Sequence, residues 1–211
     1  MSLRLPDSGA ETDVAGRRHA PSAARNAAPL ADLLRDVLPA SGRLLELASG
    51  TGQHAAALSA ALPGWIWQPS EVNPALFASI RAWAQDAPRI LPPIGLDAAQ
   101  PGWAAPLGQW DAVLLVNLLH LIPQGAASTV LEGMAAALAP AGRAVIYGPF
   151  LRQGQTTSPG DAAFHADLQA QDPAIGYKEL DWVSDRLAAA GLTLQCHTMP
   201  ANNLALVATR G

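Results

Sequence analysis

The stretch Leu44 to Leu58, LLELASGTGQHAAAL, admits few folds. An apolar run closed by an acid passes through a glycine-rich turn into an alanine-rich segment, which reads as strand, tight turn, helix. A strand entering a helix through Gly50, Thr51 and Gly52 leaves backbone N–H groups without intrahelical partners at the helix N-terminus. An anionic group or a polar cofactor can lie close to the main chain there.

Before this stretch, Leu30, Leu33, Leu34, Val37 and Leu38 recur at three- and four-residue steps. That spacing predicts a helix over about residues 23 to 38, stopped by Pro39, with Arg25 and Asn26 in its first turn and off the apolar stripe. Residues 1–20 are polar and lack a hydrophobic period, so they read as a flexible tail or a segment ordered only by ligand. The remaining residues, 21–211, suffice for one sizeable core and read as a single domain. Strands are expected at Arg43 to Leu47 and Trp65 to Gln68, the second finishing at Pro69-Ser70-Glu71, with a helix between them that Pro63-Gly64 ends. Asn73-Pro74 is a helix start, Asn as N-cap and Pro at the first helical position. Pro92 and Pro93 cannot donate ladder hydrogen bonds, so a strand within Arg89 to Leu96 must be short and at a sheet edge, with Asp97 ending it.

In WDAVLLVNLLHLIP the segment Ala112 to Val116 is apolar on both faces, as a central parallel strand should be. Leu131, Met134, Ala135 and Leu138 mark the next helix, Pro140-Ala141-Gly142 turns the chain, and Arg143 to Tyr147 is a fifth strand broken at Gly148-Pro149. Residues 150–176 are polar, contain Gly and Pro, and exceed an ordinary connection, which favours a functional lid carrying a short helix over Phe164 to Ala170. A helix over Glu179 to Ala190 follows, capped by Gly191. Strands Thr193 to Met199 and Leu204 to Thr209 then flank a turn at residues 200–203. The expected fold is an α/β three-layer sandwich: a mostly parallel seven-stranded sheet with a C-terminal antiparallel hairpin. Ligands in such sheets bind beyond the carboxyl ends of the strands, where Glu46, Gly50, Glu71, Asp97, Asn117 and Tyr147 fall.

Composition narrows the partners. The formal net charge of −4, with no basic run beyond Arg17-Arg18, gives no footprint for nucleic acid. The five histidines lack ligand spacing, so no metal site is expected. The single cysteine, Cys196, excludes an intrachain disulfide and is expected to pack in the core. No apolar run approaches the roughly 18 to 20 residues needed to span a bilayer, and MSLRLPDSGAETD lacks the apolar core of a signal peptide. A soluble, cytoplasmic protein with no membrane partner is the expectation, its oligomeric state unspecified.

From about residue 21 onward the chain resembles the class I S-adenosylmethionine-dependent methyltransferases, with their Rossmann-like fold. Within that superfamily LELASGTGQHA, the acidic end of WIWQPSE, NLLHLIP, YGPF and MPANNLAL are similar to a small methyltransferase-like family catalogued as a domain of unknown function. One position departs: the superfamily's first loop is usually acid-x-Gly-x-Gly-x-Gly, and this chain has Ala48 at the first glycine, which suits a tight turn if its φ is negative. The resemblance implies S-adenosylmethionine as cofactor and a small-molecule acceptor. It implies that Gly50 and Gly52, with Thr51 between them, let the backbone approach the methionine part, and that Glu46 orients the loop or the amino group. Glu71 would take the ribose hydroxyls, and Asp97 with the Ala98 N–H would read the adenine edge. Asn117 and Leu118 would border the sulfonium, while Arg25 and Asn26 resemble a family-like pair that closes over the cofactor.

For the acceptor side, His120 is a candidate base or a packing histidine, because its unperturbed pKa lies near neutrality. Tyr147 and Phe164 either wall a pocket or fill the core. His165 in the lid and Asn202 in the terminal turn complete the candidate substrate residues, whereas His54 and His197 read as structural. Two other readings stay open. Glu71 lies 19 residues beyond Gly52, and Gly50-Thr51-Gly52-Gln53-His54-Ala55 also fits an NAD(P)-dependent oxidoreductase. A cofactor-binding protein without turnover is the third.

Overall fold

In the computed structural model, which describes residues 10–211, the chain separates into two compact units. The first ends at Leu96 and the second is Asp97–Gly211, where the sequence suggested one domain from residue 21. The part of the expected tail before residue 10 lies outside the described residues. The part within them holds an unexpected element: β1 (Glu11–Thr12) and β2 (Arg18–His19) pair as an antiparallel hairpin. Asp13 stabilises its turn by accepting from the backbone N–H of both Ala15 and Arg17, each at 2.9 Å.

The first unit continues with α1 (Pro21–Val37), which buries Leu30, Leu33 and Leu34 along its stripe and carries Pro29 inside it. Then come β3 (Gly42–Leu47), α2 (Gln53–Ala61), β4 (Trp65–Glu71), α3 (Phe77–Ala84) and the short β5 (Ile94–Gly95). Strand β4 pairs in parallel with β3 and with β5. Pro69 does not end β4, which runs on to Glu71 and so sets that carboxylate at the strand's carboxyl end. Asn73 caps the turn before α3 as expected, its side chain accepting from the Ala75 N–H at 3.1 Å.

The second unit opens with β6 (Trp110–Val116), α4 (Gln124–Ala137) and β7 (Leu138–Gly148). Ala112 to Leu115 are buried, as their two-sided apolarity required. Strand β7 starts at Leu138, not Arg143, because residues 140–142 bulge within it: the register against β6 jumps from Trp110↔Leu138 to Ala112↔Arg143. Residues 150–176 hold β8 (Phe150–Leu151) and the long α5 (Pro159–Gln171). After β9 (Lys178–Glu179) and α6 (Leu180–Ala189), β10 (Leu192–Thr198) and β11 (Leu204–Arg210) close the chain.

The sheet has seven strands and is mostly parallel, ordered β3-β4-β5 in the first unit and β10-β11-β7-β6 in the second. Strand β11 is antiparallel to both β7 and β10, giving the expected terminal hairpin. Cys196 corrects an expectation. It is exposed on β10, an edge strand of the sheet.

Candidate cofactor and acceptor sites

After β3 the main chain turns through three left-handed residues at alternate positions: Ala48 (φ 50°), Gly50 (φ 56°) and Gly52 (φ 86°). The turn is closed within itself, the Gly52 N–H donating to Ser49 O at 3.0 Å. Ala48 does not have the negative φ its identity called for. A non-glycine residue in this region costs about 1–2 kcal/mol. Gly52 is required for a second reason besides its φ, since a Cβ there would lie 2.7 Å from Ile80 Cα.

The loop is held from β4. The Ser49 N–H donates to Ser70 O at 2.8 Å, and the Ser70 hydroxyl donates to Glu46 O at 2.7 Å. The Gly50 N–H donates to Glu71 Oε2 at 2.9 Å, and the Asn73 N–H donates to Oε1 of the same carboxylate at 3.0 Å. Two of the roughly four acceptor positions of that carboxylate are thus filled by backbone donors, and the others are available to a diol. Gly52, the N-cap of α2, has no side chain to cap the helix, and the Gln53 N–H donates instead to Thr51 Oγ1 at 3.4 Å. Glu46 accepts from Trp67 Nε1 at 2.9 Å. Loss of water pushes the Glu46 carboxyl up to about 7, against hydrogen bonds from Trp67 and Ser49, and the charge of Glu71 adds to the rise. Glu46, Ala48, Gly50, Thr51, Gly52 and Glu71 are therefore brought together, whereas Arg25 is exposed and Asn26 half-buried on α1.

In the second unit Asp97 forms a turn around its own side chain, accepting from the Ala99 N–H at 2.9 Å and from Gln100 Nε2 at 3.1 Å, with Ala98 buried between. Asn117 is left-handed (φ 56°) and its N–H donates to Tyr147 O at 2.8 Å, so Asn117 and Leu118 turn sharply out of β6. Gly148 lies beside this turn, where a Cβ would sit 3.5 Å from Asn117 Oδ1 and 3.9 Å from His120 Nδ1.

Three of the candidate acceptor residues meet around Tyr177. Its ring centroid is 6.0 Å from His120, 6.2 Å from Phe164 and 5.3 Å from His165, and His120 is 5.8 Å from Phe164. The Tyr177 N–H donates to His165 Nδ1 at 3.0 Å, leaving the proton of a neutral ring on Nε2. The Tyr177 hydroxyl donates to Asp161 Oδ1 at 3.3 Å, and Asn202 Nδ2 donates to Asp161 Oδ2 at 3.0 Å, tying the terminal turn to α5. Burial alone would raise the Asp161 carboxyl, but hydrogen bonds from Ser158, Thr157, Asn202 and Tyr177 outweigh it and hold the group low.

His120 does not fit the role of base. Burial, reinforced by the nearby Lys178 charge, lowers it to about 3, and an imidazole so weakly basic stays neutral and takes up protons poorly. Tyr147 is 2 % exposed, and burial raises its phenol against a hydrogen bond with Asn203, so it too stays protonated. Lys178 is buried with its Nζ donating to Ile122 O and Gly176 O, each at 2.8 Å, and burial brings it down to about 8.

Asp161, Tyr177, Lys178, Ser49 and Ser70 escaped the sequence reading. Two signals pointed to some of them: Ser158-Pro159-Gly160-Asp161 has the spacing of a capping box, and Ser70 is a polar residue in an otherwise buried strand. A cavity of about 420 Å³ bordered by Gly102, Thr129, Glu132 and Gly133 contains none of the site residues. Among the described residues no helix is long and apolar enough to cross a membrane.

The fold is of the methyltransferase type. It is similar to an O-methyltransferase family 2 protein from Planctomyces limnophilus DSM 3776 in complex with apigenin, at 21% identity and a TM-score of 0.77, over 91% of this chain and 59% of that one. It is also similar to an O-methyltransferase family protein from Burkholderia thailandensis, at 18% identity and 0.74, over 87% and 55%. A third likeness is to CalO1, a methyltransferase in calicheamicin biosynthesis in its SAH-bound form, at 17% and 0.73, over 90% and 54%. The chain spans little more than half the length of these proteins. Residues 17–210 match the family described as "Protein of unknown function (DUF938)", and the chain belongs to that family.

Proposed function

We propose that the chain is an S-adenosylmethionine-dependent methyltransferase acting on a small-molecule acceptor by in-line displacement. One observation carries this reading: the Glu71 carboxylate, at the end of β4, is held by the N–H groups of Gly50 and Asn73 with acceptor capacity to spare. A carboxylate fixed in this way accepts from two neighbouring hydroxyls without reorganising. Likeness in fold to methyltransferases, one of them in its SAH-bound form, supports the same reading.

In this reading Glu71 takes the ribose and the loop from Ala48 to Gly52 cradles the methionine end. Glu46, whose carboxyl burial pushes up to about 7, braces that loop through Trp67 and Ser49. Asp97 and the Ala98 N–H read the adenine, Asn117 and Leu118 border the sulfonium, and Arg25 and Asn26 lie at the rim. When bound, S-adenosylmethionine supplies a methyl group on a sulfonium, already activated for displacement. The chain's own work is to align the nucleophile and exclude water. Phe164, His165 and Asn202 serve the acceptor, and His120 and Tyr147 act beside them as neutral polar groups that position it.

Calorimetry with S-adenosylhomocysteine and with NADH, followed by transfer of a labelled methyl group from S-adenosylmethionine into a metabolite extract, tests this. Binding of the first ligand, no binding of the second and a labelled product are expected. NADH binding without S-adenosylhomocysteine binding would make the chain an oxidoreductase. Binding with no labelled product in any fraction would leave a cofactor-binding protein without turnover.

A further inference from the structure

The β1–β2 hairpin is fastened to α3 through bonds to Ser79, Ala82 and Trp83, and to Asp86 just beyond its end. Arg17 Nε donates to Ala82 O at 3.2 Å, its Nη2 meets Asp86 at 2.5 Å, and its guanidinium lies 5.3 Å from the centre of the Trp83 ring. Trp83 Nε1 donates to Arg18 O at 3.1 Å, and the His19 ring packs edge-on to Trp83 at 4.8 Å. These contacts alone would make the hairpin a cover for a helix.

Two further bonds reach past α3. The buried Ser79 hydroxyl accepts from the Arg18 N–H at 2.9 Å and donates to Thr51 O at 2.7 Å. Its polarity is fixed, because an amide can only donate and a carbonyl can only accept, so the single hydroxyl proton is committed to the loop. The Ala20 N–H donates to Gln53 Oε1 at 2.8 Å, and Gln53 is the first residue of α2. The hairpin thus grips the middle of the glycine-rich loop. Ala20, directly after the hairpin at the start of α1, holds the helix start that follows the loop, and Ile80, next to Ser79, presses on Gly52.

We infer that the β1–β2 hairpin is a positioning element of the glycine-rich loop, acting through the Ser79 hydroxyl and aided by the Ala20 bond to Gln53 directly after it. The inference rests on the reading of that loop as the cofactor cradle. Coupling of this kind is reciprocal: if the hairpin favours the binding form of the loop, ligand on the loop must favour the docked hairpin. A cover for α3 alone would not respond to ligand.

Amide hydrogen exchange on the intact protein, with and without saturating S-adenosylhomocysteine, tests the inference. Protection is expected to rise at residues 48–53 and also at residues 11–19. In Ser79→Ala, affinity for S-adenosylhomocysteine should fall about tenfold, and the hairpin should lose its ligand response while the loop keeps one. Trp83→Phe retains the ring but not the N–H, and should weaken binding about two- to threefold through the Arg18 carbonyl. Ligand bound and the loop protected with no change at 11–19 in the wild type would overturn the inference and leave the cofactor reading standing. Failure of the wild type to bind S-adenosylhomocysteine in calorimetry would overturn both.

Discussion

Around the loop after β3, the main chain on the β3–loop side bonds to the neighbouring strand, as donor at Ser49 and Gly50 and as acceptor at Glu46, and the backbone itself carries the shape through Ala48, Gly50 and Gly52. Around Tyr177 the bonds and ring contacts run mainly between side chains drawn from separated segments, at 120, 161–165, 177 and 202. In both regions burial shifts a titratable group toward its neutral form. In the loop an acid, Glu46, is raised to about 7, and in the cluster a base, His120, is lowered to about 3. A backbone cradle suits a cofactor with invariant groups. A side-chain cluster can vary with the acceptor while the fold stays the same.

The comparison breaks most sharply at Gly52. Gly52→Ala places a Cβ against Ile80 in a left-handed residue, and should cost roughly 4 kcal/mol of stability, read as a lower urea midpoint, with no local change around Tyr177. If stability is unchanged, the close packing of α3 on the loop is wrong.

A smaller effect is expected from Glu46. Its folded pKa lies above the ordinary carboxyl value of 4.5, so the folded chain holds a proton that the unfolded chain releases. The associated stability is fully present below 4.5, is lost as pH rises through about 7, and changes little above that. The total is about 3 kcal/mol at most. Burial of His54 and His120, both lowered, works in the opposite direction as pH falls below 6.5, so the wild-type curve must be compared with that of Glu46→Gln. The difference should shrink steadily from pH 4.5 to 7, and a flat difference would contradict the buried neutral acid.

Asp161→Ala removes the acceptor shared by Thr157, Ser158, Tyr177 and Asn202. About 1–2 kcal/mol of local stability should go, seen as exchange of the α5 amides roughly tenfold faster, with the loop after β3 unaffected. Equal acceleration in both regions would remove the distinction between them. The smallest effect is expected from Ala48→Gly. Relief of the left-handed strain is partly offset by the greater freedom of glycine in the unfolded chain, so a gain of about 0.5 kcal/mol in thermal stability is predicted.

The two regions also differ in how far the sequence revealed them. The strand, turn and helix around Gly50 and Gly52 were legible because a few adjacent residues decide a local backbone path, and Asn73-Pro74 was legible for the same reason. Ala48 was misjudged because its φ is imposed by flanking structure, not by its own preference. Residues 150–176 read as a lid with a short helix because they are polar and contain Gly and Pro, and the 13 residues of α5, which bury only Leu168, leave little apolar period to mark its length. Asp161, Tyr177 and Lys178 were missed because nothing in the chain order foretells which distant side chains a charge will meet. The hairpin at residues 11–19 was missed because polar side chains on α3 hold it, and no apolar period marks it.

The most direct test of the account is calorimetric titration of S-adenosylhomocysteine into the wild type and into Glu71→Gln. A glutamine has one carbonyl oxygen and cannot accept from Gly50 and Asn73 on separate oxygens while also receiving two hydroxyls. The account predicts binding to the wild type and a dissociation constant about 30- to 100-fold higher in the folded variant. Equal dissociation constants in the two proteins would contradict it.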